Sequence, residues 1–353
     1  MIYFLTPDEA RPSGGIRQIY LMVDLLCDLG HEATVFHGTS GFRCGWFEND
    51  TPVVARPFLD LRRGDILVVP EYDGARKRER CRDAAIVQLN QNHFRTFINS
   101  GFEDSWSGAY PGWPNAKAVL VTSEAIRRFM TAALRTPLPI YTTRVVVDSS
   151  SFVPGRKRKL IALMPRKRRH EAEAVVQMIH RSGLQGWEIA TIDQMAHGAV
   201  AEVLAEAAIF LSFSSAEGFG LPPAEAMAAG CYVIGYTGDG GREFMDPQWC
   251  SPIGDEDIVT FAQETTRIAR DWEADPAAVQ ERAGRGREVV ARTYTPENLR
   301  EDLRIAFGEL TAPGSDAVQV TASTVTHWSV PVGPRGTLVR ATRRVSRSLR
   351  SER

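Results

Sequence analysis

The sequence predicts an α/β protein built from two consecutive units, each with a mostly parallel sheet. Short apolar runs alternate with segments of helical periodicity along most of the chain, and the alternation restarts after a small polar stretch near residue 150. At 353 residues the chain is also longer than one hydrophobic core usually serves, and each half suits one such unit.

In order, Ile2–Leu5 is a short apolar run that reads as a first strand. Arg11-Pro12-Ser13-Gly14-Gly15 breaks it. Ile16–Leu29 then carries apolar residues at 16, 19, 22, 23, 26 and 29, the spacing of a helix face. Gly30 stops that helix, and Ala33–Phe36 reads as the next strand, giving a βαβ unit with a glycine-rich first turn. Further strands are expected at Asp65–Val69, Ala85–Leu89 and Ala118–Val121. Arg144–Asp148 followed by Ser149-Ser150-Ser151-Phe152-Val153-Pro154-Gly155 reads as a linker, because an apolar run gives way to small polar residues and Pro-Gly.

The second alternation expects strands at Leu160–Met164, Trp187–Ile192, Ile209–Phe213 and Cys231–Tyr236. Helices are expected at 170–183, 198–207 and Pro222–Ala229. The expected organisation is a first Rossmann-like domain over 1–150 and a second over 151–293. A helix over 294–312 packs back toward the first domain, and 313–353 form a linker and an Arg-rich tail. Two open parallel sheets would face a cleft at their C-terminal edges, where ligands of such sheets bind.

Composition narrows the function classes. The formal net charge of −1 provides no global field for nucleic acid. Five scattered cysteines (Cys27, Cys44, Cys81, Cys231, Cys250) form no C-x-x-C pair, which argues for a reducing, cytoplasmic setting without a disulfide framework or zinc site. The first apolar run lacks the basic flank and length of a signal peptide, and nothing approaches 18 uninterrupted apolar residues. In the tail, Leu338, Ala341, Val345 and Leu349 would line one face of an Arg-rich helix. Peripheral contact of 335–353 with anionic lipid, docking on the protein's own acidic surface, and disorder are the three readings.

The segment Ser214–Gly230 concentrates the chemistry. Gly218 and Gly220 let backbone N–H groups approach a ligand, since no Cβ intervenes. Pro222 and Pro223 suit a first helical turn, so a helix N-terminus faces the same space and forms an anion site. Glu217 before it and Glu225 one turn into the helix place carboxylates beside that anion. Like charges repel, but carboxylates accept hydrogen bonds from sugar hydroxyls. A diphosphate flanked by two sugars, as in a nucleoside diphosphate sugar, reconciles the pattern.

Glu217-x7-Glu225 with Gly218-Phe219-Gly220-Leu221-Pro222 inside it resembles the signature of retaining GT-B glycosyltransferases, especially glycosyltransferase family 4, and the resemblance covers about residues 1–310. It implies the GT-B fold, with an acceptor-side first domain and a nucleotide-sugar second domain. It further implies that Glu217 contacts the donor hexose, that amides of Phe219, Gly220 and Leu221 hold the diphosphate, and that Glu225 binds the ribose. Gly14 and Gly15 match the family's first glycine loop, with Arg17 just beyond as a further cation. The family's Arg and Lys against the leaving diphosphate fall on Arg166, then Lys167 or Arg169, and the run 156–159 is expected to be a solvated basic face. The family's sugar-contacting His falls near His93, with Asn90 and Gln91 as alternatives for that place.

Thr237-Gly238-Asp239-Gly240-Gly241 resembles the family's second glycine-rich turn. Asp255-Glu256-Asp257 precedes a helix, where acids complement the dipole, so no metal site is expected there. The implied activity is metal-independent transfer of a hexose, mannose first, from GDP-mannose or a UDP-sugar to a glycan or glycolipid hydroxyl. No cofactor is needed. Trp46, Trp106, Tyr110 and Trp113 in the loops 38–60 and 91–116 suit stacking on a glycan acceptor, with packing of the loops as the other reading. The alternatives are a non-catalytic subunit of the same fold, or an epimerase or phosphorylase on it.

Overall fold

The computed structural model describes residues 1–62, 64–71, 84–98, 109–113, 115–313 and 327–331. The tail residues 335–353 lie outside them, as do Trp106 and Cys81. The chain divides into two units. The first is Met1–Val121 with Phe129–Thr143 and Leu299–Arg353; the second is Arg144–Asn298 with Thr122–Arg128. The division falls at Thr143/Arg144, ahead of the expected 150/151 boundary.

The first unit holds a seven-stranded sheet in the order β3-β2-β1-β5-β6-β7-β8. Its strands are β1 Ile2–Leu5, β2 Ala33–His37, β3 Val53–Ala55, β5 Ile66–Pro70, β6 Ala85–Asn90, β7 Ala116–Val121 and β8 Ile140–Thr142. Every pairing is parallel. β2, β5 and β6 are buried at every position, which is why they read as continuous apolar runs rather than alternating ones. Helix α1 (Gly14–Asp28) begins at the first glycine and buries Ile16, Ile19, Met22, Val23 and Leu26, the face expected from the spacing. β4 (Phe58–Arg62) pairs antiparallel with β14 (His327–Pro331), outside the main sheet.

The second unit holds a five-stranded, all-parallel sheet in the order β10-β9-β11-β12-β13. These are β9 Arg158–Leu163, β10 Glu188–Thr191, β11 Ala207–Glu217, β12 Tyr232–Asp239 and β13 Ser251–Ile253. One apolar cluster, containing Phe152, Ala162, Phe210, Val233 and Met227, covers one face. A second, containing Ile161, Leu211, Tyr236, Phe261 and Ile268, covers the other. Alternate residues of β9, β11 and β12 thus point into separate cores, as a doubly covered sheet requires. The helices are α3 Arg169–His180, α4 His197–Glu206, α5 Leu221–Ala228, α6 Ile258–Ala274 and α7 Pro276–Thr293. Helix α2 (Glu124–Ala133) begins in the second unit and ends in the first. Helix α8 (Pro296–Leu310) lies in the first unit from Leu299 onward, where the Phe307 ring meets Phe4 at 6.1 Å. Among the described residues no helix is long and apolar enough to cross a membrane.

Candidate donor-sugar site

In the second unit the site grows from the end of β11. The strand runs to Glu217, past the expected end at Phe213, because its pairing with β12 continues to Glu217↔Asp239 after a shift of register at Ser214. Ala216 sits at φ 49°, a left-handed backbone that turns the chain out of the sheet. The side chain of Glu217 is ion-paired: Lys167 Nζ lies 2.6 Å from its Oε1 and donates to Ser215 O at 2.9 Å.

The next residues convert strand into helix. Phe219 is buried, its ring 4.8 Å from Tyr294 and 5.1 Å from Phe244, so it anchors the loop in the core. Gly220 stands before α5 at φ 97°, a conformation that only glycine adopts cheaply. Pro222 and Pro223 lack N–H groups, so the donors left without helical acceptors at this terminus are those of Gly220 and Leu221. The amide of Phe219 precedes them. Glu225 is half-buried on α5. Behind the loop runs the β12 turn, where a Cβ on Gly240 would collide with Gly218 O and Phe219 N.

That turn is itself held. The Glu243 carboxylate accepts from Glu124 N at 2.7 Å and from Tyr294 OH at 2.8 Å. Burial raises its pKa above the usual carboxylate value, against the pull of those two donors.

The other basic residues sort by contact. Arg166 is exposed, and Arg169 pairs with Glu173 at 3.1 Å along α3. Arg168 was not singled out in the sequence. It is nonetheless the most enclosed of the run, bonded to Glu171 and Asp255 and lying 4.7 Å over the Tyr236 ring. Its i,i+3 spacing to Glu171 was the available signal. The expectation of a solvated face at 156–159 fails at Lys157: its ammonium is buried and donates to Leu204 O at 2.8 Å and Ala229 O at 2.5 Å. Of the acidic run, Asp255 pairs with Arg168, and Asp257 accepts from Thr260 N at 3.0 Å, capping α6. Among the described residues no cluster of His, Cys, Asp and Glu could hold a metal ion.

In the first unit Gly14 and Gly15 open α1 after β1, and Arg17 N donates to Ser13 O at 3.1 Å. Gln91 is the residue that meets this turn. Its Nε2 donates to Gly15 O at 3.1 Å, and its Oε1 lies 2.9 Å from where a Gly15 Cβ would stand. The backbone N–H of Gln91 in turn donates to Glu71 Oε2 at 3.2 Å. Glu71 follows β5 and is buried, which pushes its carboxyl up to about 7. The Asn90 Nδ2 donates to Thr96 Oγ1 at 2.7 Å and to Tyr110 OH at 2.9 Å, and His93 is buried against the rings of Phe129 and Phe94. Tyr110 and Trp113 are fully buried and bridge to each other, which is the packing reading of these two and not the stacking one. Trp46 is half-buried on Phe47, with its Nε1 donating to Glu9 O.

Residues 167–271 match the family model described as Glycosyl transferases group 1. An alpha-1,6-glucosyltransferase of Actinobacillus pleuropneumoniae serotype 7 (strain AP76) is 24% identical over 272 residues, 73% of this chain and 79% of that protein. Among solved structures, the sucrose-phosphate synthase of Thermosynechococcus elongatus superposes with a TM-score of 0.62 at 13% identity, over 88% of this chain and 98% of that one. HepE of Anabaena, in complex with UDP-glucose, superposes with a TM-score of 0.57 at 14% identity, over 87% and 99%. Over residues 167–271 the chain is thus similar to group 1 glycosyl transferases, and as a whole it shares the GT-B fold of these solved structures.

Proposed function

We propose that this chain moves a hexosyl group from a nucleoside diphosphate sugar to a glycan or glycolipid hydroxyl, with retention of anomeric configuration and without a metal ion. The observation that carries the reading is the Glu217–Glu225 turn: amides of Phe219, Gly220 and Leu221 ahead of α5, flanked by two carboxylates, with Lys167 on the first of them. The amides hold the diphosphate, since a helix N-terminus favours negative charge. Glu225 takes the ribose hydroxyls. Glu217, oriented by Lys167, takes the hexose. Arg166 and Lys167 meet the charge that develops on the departing diphosphate, so protein groups do the neutralising that a metal does elsewhere. The leaving phosphate oxygen accepts the proton of the acceptor hydroxyl as the new glycosidic bond forms. The resemblance also counts Gly14, Gly15 and Arg17, in the first unit, among the donor-binding residues. There Gln91, with its hydrogen bond to the Gly15 carbonyl, is preferred to His93 as the residue that shapes the turn.

Between the two donors expected, UDP-sugars are put ahead of GDP-mannose. The Actinobacillus relative is an alpha-1,6-glucosyltransferase, and the Anabaena structure is a complex with UDP-glucose. A panel of UDP-, GDP- and dTDP-sugars, followed by thermal shift and nucleotide release, tests the reading. One UDP-sugar should raise the melting temperature and be turned over with acceptor in the presence of EDTA, and the product should keep the donor's anomeric configuration by NMR. Failure of every nucleotide sugar to stabilise the protein would remove the proposal. Glu225→Ala should weaken donor binding by about 10-fold or more, because a carboxylate bonded to two hydroxyls makes charge-assisted bonds.

A further inference from the structure

The donor loop is braced by Thr122–Arg128, a short segment remote from it in sequence that clusters with the second unit. Ser123 is 2% exposed. Its Oγ accepts from Ile126 N at 3.2 Å, which caps the first turn of α2, and donates to Gly218 O at 2.5 Å. A hydroxyl has one proton, so accepting at the cap leaves that proton for the loop carbonyl. The peptide 218–219 is planar and trans, and fixing its C=O therefore fixes the Phe219 N–H in the opposite direction. A second strut runs beside the first: Glu124 N to Glu243, and Glu243 to Tyr294, whose ring rests on Phe219. Gly240 packs beside the same peptide, so closely that a Cβ there would collide with Gly218 O and Phe219 N.

We propose that Ser123 is a positioning residue for donor binding, which aims the Phe219 amide at the diphosphate through its hydrogen bond to Gly218 O. This rests on the donor reading above. Its structural rival is a helix cap and nothing more, and the two roles separate by substitution. Ser123→Ala removes both cap and donor. Ser123→Gly keeps most of the capping preference but cannot donate. Ser123→Thr keeps both.

The experiment is titration calorimetry of UDP and of GDP against the full chain, wild type and three variants, with melting temperatures taken in parallel. The expected result is nucleotide affinity about tenfold weaker in both Ser123→Ala and Ser123→Gly, near wild type in Ser123→Thr, with Ser123→Gly melting close to wild type. Wild-type affinity in Ser123→Gly, with only the Ser123→Ala melting temperature lowered, would reduce Ser123 to a cap and overturn the proposal. Should Ser123→Ala fail to fold, the Gly and Thr variants alone decide between these outcomes. A wild-type chain that binds neither nucleotide would instead sink the donor reading, and the role of Ser123 with it.

Discussion

Glu71→Gln should make the protein more stable above neutral pH and leave it almost unchanged in acid. The Glu71 carboxyl is buried behind the first glycine turn and accepts from the Gln91 N–H at 3.2 Å. Burial is the main reason it is pushed from 4.5 up to about 7, and Arg95 opposes the shift only weakly. A raised folded-state pKa means that the folded chain holds the proton more tightly than the unfolded chain. The stability that this gives is complete below pH 4.5 and is lost as pH rises through 7. From those two values the full loss is about 3 kcal/mol. Glutamine keeps the carbonyl acceptor for Gln91 and cannot ionise, so it removes the loss. Urea unfolding of wild type and Glu71→Gln at pH 5 and pH 8, read from the transition of the first unit, should give a gain of about 3 kcal/mol at pH 8 and under about 1 kcal/mol at pH 5. An equal difference at the two pH values, or a variant less stable at pH 8, would show that Glu71 is not buried as a proton-holding carboxyl. The gain should not raise activity, because residues held against their own stability preference cluster at working sites.

Gly240→Ala should cost about 1–3 kcal/mol in chemical denaturation and weaken nucleotide binding together, since the added Cβ can be relieved only by moving the 218–219 peptide. Lys167→Met should lower turnover with donor in excess by about 10-fold or more, because it frees Glu217 and removes a cation from the leaving group; steady-state kinetics with the preferred donor checks it. Lys157→Met should leave donor affinity unchanged while lowering stability by about 1–3 kcal/mol, because the carbonyls of Leu204 and Ala229 lose their buried donor. Melting curves and titration calorimetry on the same samples separate those two effects.

The parts of the fold legible in the sequence were those whose signal is local. β1, α1 and the β9–β12 alternation carry their own period and punctuation, and the glycines and prolines of 218–223 mark the strand-to-helix turn without help from elsewhere. β4 was missed although Leu59 and Leu61 are buried between exposed Phe58 and Arg62, a period of two. Its partner strand lies more than 260 residues away, so no neighbouring segment announced the pairing. The same reason hid Ser123, Glu71 and the buried part of the 156–159 run. A serine before a helix reads as a cap, an acid after a strand as a loop residue, and a lysine among arginines as solvated. Only tertiary packing brings Gly218 O to Ser123, Gln91 to Glu71, and two carbonyls to Lys157. Arg166 was preferred to Lys167 because sequence offers no measure of which basic side chain turns toward Glu217.

Hydrogen–deuterium exchange over the peptide 214–230, with and without UDP and GDP, tests the donor assignment most directly. The amides of Phe219, Gly220 and Leu221 should become protected on adding the preferred nucleotide, and Glu225→Ala should abolish that protection at the same nucleotide concentration. Nucleotide binding that leaves 214–230 exchanging as before, while another region is protected, would contradict the account.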